Sequence, residues 1–229
     1  METAQRVVHR SALFSRLLWG LVILALLLFG YTALRENLPQ RLTHQWPWKI
    51  KLLDFQSATA AVIATVGAAL ARAQYARTVR PALGHFGRAM AGVAPNDQLA
   101  WTCHFFNGGQ DVAVITEVNY WLTFTPSARA EGASDSTDWG TSREVAAAIE
   151  TRGLTAREDF SLELLGAGHP IPPEGLMFLG WFAEPAMREV ETIFVKVRVV
   201  DRVGDTHERV VDLLKGVNRS PRHPDPPPF

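Results

Sequence analysis

An uninterrupted apolar run dominates the first part of the chain. Eighteen uncharged residues, LLWGLVILALLLFGYTAL, extend from Leu17 to Leu34 and are closed at both ends by an arginine. A helix of this length is about 27 Å long, which is close to the hydrocarbon thickness of a bilayer. The run predicts a transmembrane helix at 17–34, following a cytoplasmic N-terminal segment at 1–16.

A secretory signal peptide is the competing interpretation of this run, because three arginines precede it. The run is longer than the usual apolar core of a signal peptide, and Tyr31 stands where a cleavage site has a small residue. Trp19, near the other end, is typical of an interface anchor in a spanning helix. A transmembrane helix is therefore the preferred interpretation.

A second uncharged segment, of seventeen residues, lies between Asp54 and Arg72 and is rich in alanine rather than leucine. Small side chains recur at every fourth position, which gives a helix one face that a neighbouring transmembrane helix can approach closely. The predicted helix-packing residues are Ser57, Ala61, Thr65 and Ala69. The segment predicts a second transmembrane helix at 55–72. The alternative is an alanine-rich interfacial or soluble helix.

The connection between the two segments, at 35–54, contains Trp46 and Trp48 close to two lysines. Tryptophan and lysine together favour the headgroup region of a bilayer. The pattern predicts an interfacial loop with both tryptophans as interface anchors, although an ordinary aromatic loop fits the same residues equally well.

Basic residues near the predicted spans set the expected orientation. Seven of them lie before the first span or after the second, and four lie in the connecting loop. The positive-inside rule therefore predicts a two-span cell-membrane protein whose termini and following domain are cytoplasmic.

Beyond residue 76 the pattern changes to alternation of apolar and polar residues, which is typical of β-strands. The longest alternating segment, 111–125, is predicted to direct one face into a core: Val112, Val114, Thr116, Val118, Tyr120, Leu122 and Phe124. An Asn-Gly-Gly turn joins this segment to 98–107 as a hairpin. About seven such segments at 77–215 predict an immunoglobulin-like antiparallel β-sandwich.

Two features interrupt and end the predicted sandwich. Thr141-Ser-Arg-Glu144 matches a capping box and predicts one short inserted helix that ends near Glu150. The tail at 216–229 holds five prolines and is predicted to be disordered. The predicted fold class is thus membrane-anchored and mainly β, with two N-terminal transmembrane helices.

Three short motifs accompany this layout: Arg80-Pro81 after the second span, Phe106-Asn-Gly-Gly-Gln-Asp-Val-Ala113 in the hairpin, and Val200-Asp-Arg-Val-Gly204 before the last strand. With them the chain resembles a group of small, uncharacterised bacterial membrane proteins of actinobacterial type, from high-GC genomes. The resemblance implies two N-terminal transmembrane helices and an immunoglobulin-like domain. Its motifs are turn and junction signals, so it implies no catalytic residue, cofactor or activity.

Charge is divided unevenly along the chain, although the formal net charge is zero. Residues 1–76 carry +5 and residues 77–215 carry −6. The basic part suits anionic lipid headgroups. The acidic part argues against nucleic acid, because phosphate binding requires a basic surface. The expected partners are therefore the lipid bilayer and another protein, integral or membrane-proximal.

Candidate chemistry adds little to this picture. None of the seven histidines stands at a metal-ligand spacing, and the loop at 135–146 fails the requirements of a calcium-binding EF-hand. Cys103, the only cysteine, is expected to be a buried apolar residue. No nucleophile elbow or phosphate-binding loop is present. We predict no catalytic, cofactor-binding or metal residues.

Three functions are compatible with this sequence. The first, which is the preferred hypothesis, is a membrane-tethered protein-interaction or accessory module without catalytic activity. The second is a structural subunit of a larger membrane assembly, recruited through the small-residue helix. The third is an enzyme whose residues come together only in the fold.

Overall fold

The computed structural model describes residues 2–43, 47–163 and 166–226. The chain divides into two compact units, one made of Met1–Arg10 with Val79–Phe229 and the other of Ser11–Thr78. The first is a β unit and the second is a helical unit. In sequence, the helical unit is therefore inserted between the N-terminal residues of the β unit and the remainder of that unit.

The helical unit contains α1 (Ala12–Glu36), α2 (Gln40–Thr43) and α3 (Phe55–Thr78). Among the described helices, α1 alone is long and apolar enough to cross a membrane, over Ser15–Glu36. An apolar helix is thus present at the first predicted span. The second predicted span is also helical, but the composition of α3 does not by itself support a crossing.

The two long helices pack against each other along a regular seam. The least exposed positions in each helix are spaced by three or four residues, a period typical of a packed helix pair. The seam positions are Leu18, Val22, Ala25, Phe29 and Thr32 in α1 and Ala58, Val62, Thr65, Ala69, Arg72 and Ala76 in α3. Large exposed side chains cover the other side of α1, among them Leu21, Leu24 and Leu27.

The loop before α3 folds back onto the second half of α1. The Tyr31 hydroxyl donates to the carbonyl oxygens of Pro47 and Ile50, both at 2.8 Å. The Tyr31 ring stacks on Trp48 with 5.3 Å between centroids. Phe29 contacts Phe55 at the same centroid distance. These contacts fix the start of α3 beside the end of α1, so the two helices form an antiparallel hairpin.

The β unit consists of two sheets in which every pair of neighbouring strands is antiparallel. Its described strands are β1 (Thr3–His9), β2 (Leu83–Met90), β3 (Ala100–Asn107), β4 (Ala113–Phe124), β5 (Phe160–Leu162), β6 (Pro170–Ile171), β7 (Gly175–Ala183), β8 (Val190–Val200) and β9 (Thr206–Asp212). One sheet has the order β1-β9-β8-β4-β6 and the other the order β2-β3-β7-β5. The mainly antiparallel β architecture is confirmed.

The sequence pattern does not predict β1, because residues 1–16 are assigned to a segment outside the sandwich. The strand is an edge strand with little apolar burial, so its alternation is weak. It is held by backbone pairing with β9, in which Arg6 lies opposite Glu208 and Val7 opposite His207. The β unit therefore begins before the helical unit and not at residue 77.

Short helices occupy the loops of the β unit: α4 (Pro126–Ala130), α5 (Ser142–Glu150), α6 (Glu184–Glu189) and a 3₁₀ turn at Pro95–Asp97. The helix predicted from the capping box is α5. Its Thr141 side chain accepts from the Glu144 amide, and the Glu144 carboxylate accepts from the Thr141 amide. Val145 and Ile149 of this helix are buried in the main core.

A β-bulge in β4 changes which residues of the long strand reach the core. The register shift lies between Ile115 and Glu117. Beyond it, three predicted core residues are buried: Tyr120, Leu122 and Phe124. Before it the pattern is inverted, because Ile115 is buried and Thr116 is exposed. The predicted core face is thus wrong for residues 112–116, since the extra residue of a bulge turns the strand over.

The tail beyond Gly216 also differs from its prediction, because residues 216–226 contact the β unit instead of being disordered. The Arg219 guanidinium donates to the carbonyl oxygens of Met187 and Val190. The Asp225 amide donates to the Ala89 carbonyl at 2.9 Å. The Ala89 amide donates to the Asp225 carboxylate at 2.7 Å. Polar contacts from two side chains hold this tail, and its proline-rich composition does not reveal them.

Adjacent substitutions in β4 test the bulge. Ile115→Asp places a carboxylate without a partner in the core, so we expect it to lower the free energy of unfolding by about 3 kcal/mol. Thr116→Asp points outward and should cost less than about 1 kcal/mol. Denaturant unfolding of the full chain in detergent, followed by tryptophan fluorescence, measures both. A larger loss for Thr116→Asp would show that the alternation runs without a bulge.

Candidate functional site

Segments that are far apart in sequence meet at one end of the β unit, where β1 ends and β2 begins. This is the junction end, because the chain continues from here into the helical unit. The three motifs of the sequence, Arg80-Pro81, the Asn107 turn and the turn that begins at Asp201, all lie at this end. The polar contacts among these segments are made by five residues, which we call the junction cluster: Gln5, Pro81, Asn107, Asp201 and His207.

Asn107 ties two turns to the start of β2. Its side chain is fully buried. The Oδ1 atom accepts from the amides of Ala82 at 3.3 Å and Gly109 at 3.0 Å. The Nδ2 atom donates to the carbonyls of Asp111 at 2.8 Å and Ile171 at 3.3 Å. The amide therefore satisfies four backbone groups at once, which explains why the turn needs asparagine.

The glycines after Asn107 allow the turn to approach the chain that leaves α3. The Gly108 amide donates to the Ala82 carbonyl at 2.8 Å. A Cβ atom at Gly109 would lie only 2.9 Å from the carbonyl oxygen of Arg80. The Asn-Gly-Gly motif is thus explained by close backbone packing at the junction end.

Gln5 joins β1 to the same stretch of chain. Its Nε2 atom donates to the Pro81 carbonyl at 2.6 Å, and its Oε1 atom accepts from the Leu83 amide at 2.8 Å. Next to it, the His207 Nε2 atom lies 2.9 Å from the Asp201 carboxylate. The other Asp201 oxygen accepts from the amides of its own turn, those of Val203 and Asp205.

A histidine beside a carboxylate is one element of catalytic dyads, but this pair suits a structural role. The side chains of His207 and Asp201 are only 2% and 1% exposed, so a substrate has no route to the ring. The second ring nitrogen, Nδ1, lies 3.5 Å from the Gln5 amide rather than beside a nucleophile. The junction cluster therefore positions backbone segments.

An ion network lies on the opposite face of the same strands. The Glu208 side chain is 1% exposed because Arg6 and Arg198 cover it, at 2.5 and 2.7 Å from its oxygens. Arg198 also contacts Glu117 at 2.5 Å. Burial by itself would raise the pKa of Glu208, but hydrogen bonds from Arg198 and Arg6 outweigh that effect and hold the pKa below its usual value. The network links β1, β9, β8 and β4.

An open groove of about 590 Å³ lies on the β unit. Its walls combine apolar and charged side chains, among them Gln98, Leu99, Arg152, Leu154, Pro185 and Pro221. Arg152 is held by Glu131 at 2.7 Å and by Glu189 at 2.9 Å, so its charge is compensated within the protein. Such a mixture of apolar and polar surface suits contact with a protein segment.

The outer face of the four-stranded sheet carries a row of aromatic rings across three strands. Phe86, His104 and Phe178 lie side by side in register on β2, β3 and β7. The His104 ring stacks on Phe86 with centroids 5.0 Å apart. Burial, and secondarily the nearby Arg88, lower the pKa of His104, so the ring is neutral at pH 7.

The predicted helix-packing residues lie on or beside the hairpin seam. Ala61, Thr65 and Ala69 are half-buried and Ser57 is exposed, whereas the fully buried residue of α3 is its neighbour Ala58. Their role in close helix packing stays a prediction.

The predicted interface anchors differ in their surroundings. Trp19 is 61% exposed on α1, and Trp48 is half-buried against Tyr31. Trp46 lies outside the described residues. The anchoring role of these tryptophans stays a prediction.

Cys103 lies in the core, and its thiol donates to the Leu213 carbonyl at 3.1 Å. Burial, with a smaller effect of Asp212, raises the pKa of this thiol far above its usual value, so it is not a reactive thiolate. Among the described residues, no three His, Cys, Asp or Glu side chains come close enough to hold a metal ion.

No match to a known protein assigns a role to these sites. The chain matches no protein-family model and no curated protein sequence.

The pH dependence of stability tests the ion network. Because the pKa of Glu208 is lower in the folded chain, the network stabilises the fold above the usual carboxyl pKa of 4.5, and this stabilisation is lost as the pH falls through the folded-state pKa. Glu208→Gln removes the charge, so its stability should fall less than that of the parent between about pH 6 and about pH 3. Thermal unfolding across this range measures the slope. The exposed Glu150→Gln should keep the parental slope, and a parental slope for Glu208→Gln would contradict the assignment.

Proposed function

We propose that the chain is a membrane-anchored protein-interaction module, in which a helical hairpin holds a β-sandwich at the cytoplasmic face of a membrane. One observation carries the proposal. β1 ends at His9 and pairs with β9, although the whole helical unit separates the two strands in sequence. The apolar helix α1 follows β1 almost directly.

The pairing constrains how the chain can cross a bilayer. If α1 spans the membrane, β1 remains on the side where α1 begins. It can pair with β9 only if the chain returns to that side before Val79. Between these points α3 has the length for a return, because its 24 residues extend about 36 Å. The closed sheet therefore supports a second span that the composition of α3 does not reveal.

The polar residues of α3 also suit a lipid environment. The Thr59 and Thr65 hydroxyls donate to the carbonyls of Phe55 and Ala61, each at 2.8 Å, so neither is left without a partner in hydrocarbon. Most seam residues of α3, namely Ala58, Thr65, Ala69 and Ala76, are small and allow the close contact on which association in lipid depends. Between Ala58 and Ala71 the large exposed residues of the helix are apolar: Ile63, Val66 and Leu70. We infer that α3 crosses together with α1.

The strand order supports an immunoglobulin-like sandwich. In constant-type immunoglobulin domains, strands A-B-E-D form one sheet and C-F-G the other. The four-stranded sheet β2-β3-β7-β5 has the A-B-E-D order, and β4-β8-β9 has the C-F-G order. β1 and β6 add one strand at each edge of the second sheet. The resemblance to small bacterial membrane proteins agrees with this layout and stays a prediction.

The groove beside α6 is the surface best suited to a protein partner. Its charged walls are already neutralised by internal ion pairs, so binding does not require a ligand of high charge. Leu99, Leu154, Pro185 and Pro221 supply apolar contacts. The seam of α3 already faces α1, which favours packing inside the hairpin over recruitment of a larger assembly through these small residues.

Topology is tested by labelling cysteines introduced into a Cys103→Ser background. Lys49→Cys, in the exposed loop between α1 and α3, should react with a membrane-impermeant maleimide in intact cells. Ser134→Cys, in an exposed loop of the β unit, should react only after lysis. The reason is that two spans place the loop outside and the β unit in the cytoplasm. Equal labelling of both in intact cells would contradict the hairpin.

Photo-crosslinking in native membranes tests the interaction function. A photoreactive residue at Leu99 should give a discrete protein adduct, because Leu99 lies in the groove, and the same residue at Ser134 should give none. Arg188→Glu removes the ion-pair partner of Glu184 and leaves two uncompensated carboxylates on the groove wall, so it should reduce the adduct several-fold. Equal adduct yields at Leu99 and Ser134 would contradict a partner in the groove. An adduct yield at Leu99 that is unchanged by Arg188→Glu would contradict it too.

A further inference from the structure

Large exposed apolar side chains are confined to one end of the β unit. Among its described residues they are Val8, Val112 and Leu176, which are 44%, 38% and 56% exposed. Elsewhere on the described β unit, large apolar side chains are at least half-buried, including the aromatic row of the outer sheet face.

Strand register places all three residues at the junction end. Val8 precedes His9, which lies opposite Thr206 beside the Asp201 turn. Val112 follows the Asn107 turn. Leu176 is the second residue of β7, next to Gly175, which lies opposite Asn107. The three residues come from different loops and strands, so their common location is a property of the fold and not of one segment.

A fourth apolar side chain lies beside Leu176. Phe106 lies opposite Leu176 in register, and its ring covers Gly84, where a Cβ atom would lie 2.1 Å from the ring. At the opposite end of the same sheet face, the chain covers its own apolar residues, because Val93 and Ala94 pack on Trp181. Among the described residues of the β unit, large exposed apolar side chains are thus found only at the junction end.

We propose that Val8, Val112 and Leu176 insert into the headgroup boundary of the bilayer, which makes the junction end a second, peripheral membrane contact. The inference rests on the proposed hairpin anchor. Two residues connect β1 to α1, and four connect α3 to β2. Four residues reach at most about 14 Å, so whatever the orientation of the two units, the junction end stays close to the ends of the spans.

The charges at this end agree with a lipid surface. Arg10 and Arg80 are exposed there, whereas the exposed Arg202 pairs with Asp111 at 3.5 Å, and basic residues next to a span are attracted to anionic headgroups. Apolar side chains that penetrate the boundary between headgroups and acyl chains, beside such basic residues, are typical of peripheral membrane contacts. A lipid surface therefore accounts for both features of the junction end.

Depth-dependent fluorescence quenching tests the contact in the full chain. The Cys103→Ser protein, which keeps a hydrogen-bond donor toward Leu213, is reconstituted in vesicles of phosphatidylcholine and phosphatidylglycerol. A single cysteine at Leu176, Ser134 or Leu24 carries an environment-sensitive dye. Spin-labelled lipids quench a dye in the bilayer, and iodide quenches a dye in water. We expect the spin-labelled lipids to quench the dye at Leu176 and at Leu24. Iodide alone should quench the dye at Ser134.

The outcomes separate this contact from the anchor itself. Quenching at Leu176 by iodide alone, with lipid quenching at Leu24, would overturn the peripheral contact and leave the hairpin intact. Protection of Leu176 from both quenchers would also overturn it and point to a second copy of the chain on this surface. Absence of lipid quenching at Leu24 would overturn the anchor and, with it, this inference.

Discussion

The first described strand, β1, pairs with the last, β9, and this contact places both ends of the helical unit in the same part of the chain's fold. Backbone pairing of β1 with β9 closes a loop of about two hundred residues, which has an entropic cost that grows only slowly with loop length. The Arg6–Glu208 ion pair strengthens this pairing, and the two hydrogen bonds of Gln5 also join β1 to the backbone of Pro81 and Leu83. A helical unit inserted inside this loop is held at both of its ends.

The β unit is joined to the helical unit through two connections and not one. A domain attached through one helix can turn freely about its linker, whereas attachment through two short connections restricts how the domain can present its surfaces. The junction cluster adds to this restriction, because Asn107 and Gln5 bind the backbone of residues 81–83 directly. Buried polar contacts of this kind specify one arrangement, since a misplaced partner would leave them unsatisfied.

Sequence patterns were sufficient for the elements that depend on apolar periodicity. The apolar helix, the capping box of α5 and the alternation of Tyr120, Leu122 and Phe124 all follow from local spacing. Local spacing does not reveal β1, because a polar edge strand is stabilised by its partner. It does not reveal the bulge in β4 either, since the change of register depends on pairing with β8.

The candidate sites were less predictable than the fold. Asn107 stands out in sequence as a turn residue, but its contact with Ala82 requires the tertiary structure. More than two hundred residues separate Gln5 from His207 in the sequence, and no local motif connects Gln5 with His207 and Asp201. The tail contacts of Arg219 and Asp225 are likewise long-range polar contacts, which composition does not encode.

Disulfide trapping of the two terminal strands is the most direct test of the central claim. Thr3 lies opposite Val210 in the register, a separation suited to a disulfide. In native membrane vesicles treated with a mild oxidant, the double substitution Thr3→Cys and Val210→Cys in a Cys103→Ser background should form an intramolecular disulfide. Reduction should reverse the change in gel mobility. Two cysteines that both react with maleimide yet never form the disulfide would contradict the closed sheet, and with it the argument that the helices cross the membrane as a pair.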